Sequence, residues 1–176
     1  MSFTGGGSTC TFAPQGTGAT QSAFFIPVTG HAKSPPAGTA PAGVDFPQGL
    51  LDFVLTGCTP GSTMAFTITY PTPLAGGSRY WKYGPTPDNA TPHWYQLGAT
   101  VSGNTVTFSI TDGGIGDDDL AANGTVVDQG GPGTPGADAL RQVPTLSEWA
   151  MILLILLMMT IAARRLSPYP AGRSRR

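Results

Sequence analysis

Thr63-Met64-Ala65-Phe66-Thr67-Ile68-Thr69-Tyr70 alternates Thr or Ala with Met, Phe, Ile and Tyr at every second place. Successive side chains of a strand point to opposite faces, so this stretch reads as a strand with one buried face. Asn104-Thr105-Val106-Thr107-Phe108-Ser109-Ile110 repeats the pattern, with Val106, Phe108 and Ile110 on one face. Working outward, Leu50–Thr56 (LLDFVLT) reads as a strand, and Gly57 to Ser62 (GCTPGS) as the turn that follows it. Arg79–Tyr83 (RYWKY) and Trp94–Leu97 (WYQL) read as short aromatic strands. Thr125–Asp128 (TVVD) reads as a last strand, and Ala23–Thr29 (AFFIPVT) as an isolated early one. No amphipathic helix competes with them between residues 44 and 128. Short strands with turn signals about every 8–12 residues predict a mainly β fold, a small antiparallel β-sandwich.

Around that sheet domain the composition changes. Residues 1–43 are rich in Gly, Ser, Thr and Pro and read as an N-terminal segment with one strand in it. Residues 129–142 (QGGPGTPGADALRQ) read as a flexible Gly/Pro linker. Residues 143–176 form a separate C-terminal block. The expected organisation is therefore 1–43 N-terminal segment, 44–128 sandwich, 129–142 linker and 143–176 C-terminal block. Residues 1–22 hold no basic start followed by an apolar stretch, so no leader for export is visible. An exported body would then start inside a longer protein.

The chain has 176 residues and a net charge of −1, which hides an asymmetry. Up to residue 140 there are three cations (Lys33, Arg79 and Lys82) against nine acids. Beyond it there are six arginines against one acid, Glu148. A cation-poor, acidic body excludes nucleic-acid binding as its work. A basic tail behind an apolar block suits the cytoplasmic side of a membrane.

That block is Ala150–Ala163 (AMILLILLMMTIAA), preceded by Val143-Pro144-Thr145-Leu146-Ser147-Glu148-Trp149 and followed by Arg164 and Arg165. It predicts one transmembrane helix over about 147–163. Counted back to Leu146, the apolar stretch would reach roughly 27 Å as a helix. That is short for a hydrocarbon core of about 30 Å, but sufficient. Ser147 suits the N-cap, Glu148 the first turn and Trp149 the interface. Arg164 and Arg165 act as the basic stop. They orient the precursor in the inner membrane with the body in the periplasm and residues 164–176 in the cytoplasm.

The order of Pro-Thr-Leu-Ser-Glu-Trp, apolar helix and basic end resembles the IPTL-CTERM sorting signal of Gram-negative bacteria. Val143 stands where that family usually has Ile, and Ala150 where Gly is frequent. The resemblance covers about 24 residues. It implies an exosortase-type processing enzyme as partner, a cut near the motif and transfer to the cell surface or the extracellular space. Residues Val143, Pro144, Thr145, Leu146, Ser147, Glu148 and Trp149 would then be substrate, not catalyst. Residues 44–133 (FVLTGCTPGSTMAFTITYPTPL, RYWKYGPTPDNATPHWYQL, DGGIGDDDLAANGTVVDQGGPG) resemble the choice-of-anchor U domain. That domain implies placement before a bacterial C-terminal anchor and names no activity.

Sites for chemistry are few. Cys10 and Cys58 stand alone, without metal-ligand spacing, and in an exported body a disulfide between them is expected. Asp112, Asp117, Asp118 and Asp119 form the one acidic cluster. They read either as a calcium loop, the single cofactor expectation here, or as a turn whose Asp and Gly residues supply the bends. Tyr80, Trp81, Tyr83, Trp94 and Tyr95 read as sandwich core before they read as a glycan-stacking surface. His31 and His93 have no matched Cys or Asp, so no nucleophile–base pair is legible and no enzyme is expected. Asn123-Gly124-Thr125 matches a glycosylation sequon, which carries little weight in a bacterial protein. The function expected is display of the body on the envelope or in a matrix. The alternative is a calcium- or glycan-binding surface module on a permanent transmembrane anchor.

Overall fold

The computed structural model describes residues 1–14, 23–136 and 146–165, with side chains in the last stretch described for 149–162. The chain divides into two units, Met1–Ala139 and Leu140–Arg176.

Among its described residues the first unit is built from eleven strands. They are β1 Ser2–Gly5, β2 Thr11–Phe12, β3 Ala23–Ile26, β4 Val44–Asp45, β5 Leu50–Thr56 and β6 Thr63–Thr69. Then come β7 Arg79–Thr86, β8 Asn89–Gln96, β9 Ala99–Ser102, β10 Thr105–Thr111 and β11 Val126–Pro135. All pairings are antiparallel. A four-stranded sheet has the order β1-β6-β10-β9, and a seven-stranded sheet the order β2-β5-β11-β7-β8, with β3 beside β5 and β4 beside β11.

The alternation in β6 and β10 does what its period requires. Met64, Phe66 and Ile68 from β6 and Val106, Phe108 and Ile110 from β10 are buried together. The larger sheet answers with Leu51, Phe53 and Leu55 from β5, Tyr80 from β7 and Val126 from β11. Rings link the layers: Phe53 lies 5.1 Å from Phe66, and Tyr80 stacks 4.6 Å from Phe108. Two sheets thus share one core.

Two boundaries differ from the sequence expectation. Residues 1–43 contribute three strands rather than one: β1 pairs with β6, and β2 and β3 pair with β5. Residues 129–135 are not linker. They continue β11, paired with β5 up to Gly130 and with β7 from Gly130 to Gly133. The glycines there serve close approach rather than flexibility. A Cβ at Gly131 would meet the Cα of Leu50 at 3.2 Å, and one at Gly133 would meet Trp81 Nε1 at 2.9 Å. Pro132 is tolerated because pairing with β5 has already ended at Gly130. Residues 137–142 of the expected linker lie outside the described ones.

The second unit contains α1, Leu146–Arg165. Leu, Met, Ile and Ala favour a helix, and the single hydroxyl in the apolar stretch is satisfied internally, since Thr160 Oγ1 donates to the Leu157 carbonyl at 2.7 Å. Its described side chains, 149–162, are almost all apolar and exposed, Ile152 at 47% and Met159 at 64% marking the range of the large aliphatic residues. Among the described residues no helix is long and apolar enough to cross a membrane. The transmembrane expectation over about 147–163 therefore gains no support from the described helix.

Candidate functional site

Three carboxylates of the 112–119 stretch hold backbone, and the fourth meets a lysine. Asp112 Oδ2 accepts from the amides of Gly61 and Gly124, at 2.8 and 3.0 Å. It ties the β5–β6 turn to the approach to β11. Asp117 accepts from the amides of Gly113 and Val127, at 2.8 and 3.0 Å. Asp119 accepts from the Ala121 amide at 2.9 Å and the Asn123 side chain at 3.2 Å. Gly113 adopts φ +77°, and a Cβ there would meet the Ala122 nitrogen at 2.6 Å, so the tight loop needs glycine.

The calcium expectation gains no support from this arrangement. A calcium loop aims its oxygens inward at one point. Here Asp112 Oδ2, Asp117 and Asp119 accept from N–H donors, Asp112 Oδ1 is buried without a hydrogen-bond partner, and Asp118 faces a lysine. Among the described residues no group of three His, Cys, Asp or Glu side chains could hold a metal ion.

Asp118 belongs to a different constellation. In β7, Tyr80 and Lys82 turn inward while Trp81 and Tyr83 stay half-buried on the other face. In β11, Val126, Asp128 and Gly130 turn inward. The register sets Gly130 opposite Lys82, so Asp128 is the diagonal neighbour of Lys82 on the same face. Gly130 leaves room for the lysine stem, since a Cβ there would meet Lys82 Cγ at 3.0 Å and Tyr80 Cε1 at 2.8 Å. Lys82 Nζ donates to Asp128 Oδ1 and to the Gly116 carbonyl. It also lies 3.3 Å from Asp118 Oδ1. Lys82 and Asp128 side chains are 0% exposed and that of Asp118 15%. Gly84, one inward step from Lys82, provides space for the Asp118 carboxyl, which a Cβ there would strike.

One ammonium therefore faces two carboxylates in a desolvated space. Burial pushes Asp118 up to about 7 against the pull of Lys82, with Asp128 adding to the rise. Burial also raises Asp128 above the usual carboxylate range, although Lys82 opposes it. Burial would lower Lys82, but Asp128 and Asp118 hold it above its ordinary value. Asp118 Oδ1 and Asp128 Oδ2 have no hydrogen-bond partner. The 3.3 Å approach to Asp118 is thus an ion pair, not an aligned hydrogen bond.

The aromatic residues split between two environments. Tyr80 is core, and Tyr95 packs against the core. Trp94 lies on the other face, 5.0 Å from Phe46 and 5.5 Å from Tyr83, and donates to Thr39 Oγ1. Cys10 and Cys58 are joined in a disulfide, so neither is available as a thiol nucleophile. His31 is exposed, and His93 contacts Asn89 and the Thr91 carbonyl. The sequon residue Asn123 accepts from the Thr125 amide and donates to Asp119.

Sequence reasoning missed the Lys82–Asp128–Asp118 group. A lysine between aromatic residues reads as solvent-facing, and Asp128 ends the last expected strand. The detectable signal was the period itself: Tyr80 and Lys82 share parity in one strand.

Of the expected sorting motif, Val143, Pro144 and Thr145 lie outside the described residues. Leu146, Ser147 and Glu148 are helical in backbone, with side chains outside the description, as are those of Arg164 and Arg165. Trp149 is 55% exposed. Residues 141–168 match the IPTL-CTERM motif. That motif is a sorting signal of exosortase-type substrates and is consistent with a surface protein. The match does not extend to residues 44–133, for which a choice-of-anchor U domain is not shown. No curated protein and no solved structure matches the chain.

Proposed function

We propose that this chain is an exported surface protein whose C-terminal segment is read and cut by an exosortase-type enzyme. The observation that carries the reading is the IPTL-CTERM match over residues 141–168, with α1 inside it. In this reading Val143 to Trp149 are the recognition element. The apolar helix holds the precursor in the inner membrane, with the body outside and the arginine-rich end in the cytoplasm. The body, a choice-of-anchor U-like sandwich, is then displayed on the envelope or in a matrix. Its work is presentation, not catalysis.

The test is the intact mass of the surface-released protein in strains with and without the matching exosortase. Loss of the residues beyond about 143–149 only when the enzyme is present supports processing. The same full-length mass in both strains would remove the sorting reading and leave a permanent anchor. The half-buried ring group of Phe46, Tyr83 and Trp94 favours a second reading, a glycan-contacting face on the body. A glycan array without hits would remove that one.

A further inference from the structure

We propose that Lys82 and Asp128 condense into an intramolecular amide that covalently joins β7 to β11, with Asp118 as the catalytic proton carrier. The reacting groups already touch: Lys82 Nζ bonds Asp128 Oδ1, and Asp118 Oδ1 stands 3.3 Å from the same nitrogen. Both reacting side chains are fully shut off from solvent, and they are separated by 46 residues in sequence. Nearby glycines, Gly130 and Gly84, clear the space that the lysine stem and the Asp118 carboxyl occupy.

Charge count favours the reaction. One ammonium cannot neutralise two buried carboxylates, and a buried ion pair carries a large desolvation cost. Condensation removes the ammonium and one carboxylate together. The balance closes without any added reagent. The ammonium passes one proton to the Asp128 carboxylate, giving an amine and a carboxylic acid. The nitrogen lone pair attacks Asp128 Cγ. Asp118 takes the second proton from nitrogen and delivers it to a hydroxyl on that carbon, which leaves as water. One C–N bond forms, one C–O bond breaks, nothing is oxidised or reduced, and Asp118 is regenerated. The amide nitrogen keeps one hydrogen, which the Gly116 carbonyl is placed to accept. A carboxyl poised near neutrality, as burial makes Asp118, both accepts and returns a proton readily.

Such a bond suits a body that carries load outside the cell. It lies on the larger sheet, the sheet whose strand β5 runs into the Cys10–Cys58 disulfide turn. The inference does not depend on sorting by an exosortase. It concerns residues of the body alone.

The test is the intact mass of the folded full-length chain, disulfide reduced, followed by peptide mapping. The expected mass is lower than that of the sequence by one water, about 18 Da. Mapping is expected to give a branched peptide joining Lys82 to Asp128. The full sequence mass in the folded wild-type chain overturns the proposal, and so does water loss mapped elsewhere, for example to a succinimide at Asp112-Gly113. Lys82→Arg keeps the charge but is expected to show no water loss, and loss retained in it overturns the bond. Asp118→Asn is expected to leave the chain at full mass, and an undiminished yield of the branched peptide in it overturns the role of Asp118. Because the wild-type chain alone decides whether the bond exists, a variant that fails to fold leaves the test intact.

Discussion

The body and the C-terminal helix break the ordinary rule of inside and outside in opposite directions. In the body, a lysine and two aspartates sit on the core face, where apolar side chains belong. In α1, Trp149 and the Met, Ile and Leu residues from 151 to 161 are exposed, where polar side chains belong. Neither inversion is favourable for a domain alone in water. A buried charge cluster demands exact compensation, while an all-round apolar helix demands an apolar partner. The difference teaches where each region's function is completed. The body carries its compensating partners within itself, and the helix has none among its own residues.

The largest effect is expected from breaking the compensation inside the body. Lys82→Met removes the lysine nitrogen, as ammonium or as amide, and leaves the Asp128 carboxyl buried beside Asp118. The expected loss is about 3–5 kcal/mol of folding stability, read from the midpoint of urea unfolding. A loss below about 1 kcal/mol would mean that water reaches the cluster, and the contrast with the helix would dissolve.

On the helix side, Leu154→Lys places a charge in the middle of the exposed apolar surface. If an apolar phase is what completes this unit, partition of the full chain into phospholipid vesicles is expected to weaken by about 3 kcal/mol. Equal partition of wild type and variant would show that the exposed leucines do not meet lipid.

Within the body the disulfide offers a calibrated comparison with the charge cluster. Cys10 and Cys58, separated by 48 residues, close a long loop. Replacing both by serine is expected to cost about 2–4 kcal/mol, mostly through the greater freedom of the unfolded chain. Calorimetry in oxidising and reducing buffer checks it. A wild-type Tm that does not move on reduction would mean that the bond constrains nothing the sheets do not already hold.

How much of this could be read in advance follows from which physical signal each element carries. Strands β6 and β10 were legible because Phe66, Ile68, Phe108 and Ile110 repeat with period two against Thr and Ser. Strand β5 was legible as an apolar run. Strand β11 was only half legible. Gly130, Gly131 and Gly133 look like flexibility by composition, and only the crowding around each Cβ position shows that they are packing requirements. Strands β1 and β2 are too short to show any period. The acidic stretch was legible as a turn, but composition cannot say which carboxylate meets an amide and which meets an ammonium. That depends on registers between strands far apart in sequence, and Lys82 acquires its partners only when Gly130 pairs opposite it.

The smallest effect separates the two regions by pH. Burial first, and the charge of Asp128 after it, raises Asp118 from 3.8 in the open chain to about 7 in the folded one. Because the folded value is the higher, the folded protein holds a proton that the unfolded chain has released across that window. The stability linked to that proton is whole below about pH 4 and is lost as pH rises through about 7, at up to about 1.4 kcal/mol per pH unit. Asp117 is raised too, burial leading, and acts in the same direction, as does Asp128 wherever its carboxyl is free. Acidifying from pH 8 to pH 5 should therefore raise the urea midpoint of the wild-type chain. The gain should be visibly smaller in Asp118→Asn. Burial is the leading cause, so the direction holds whether Lys82 is an ammonium or an amide. Residues 149–162 carry no ionisable side chain, so a pH response in this range belongs to the body. Identical pH profiles for wild type and Asp118→Asn would show that Asp118 is not the group that holds the proton.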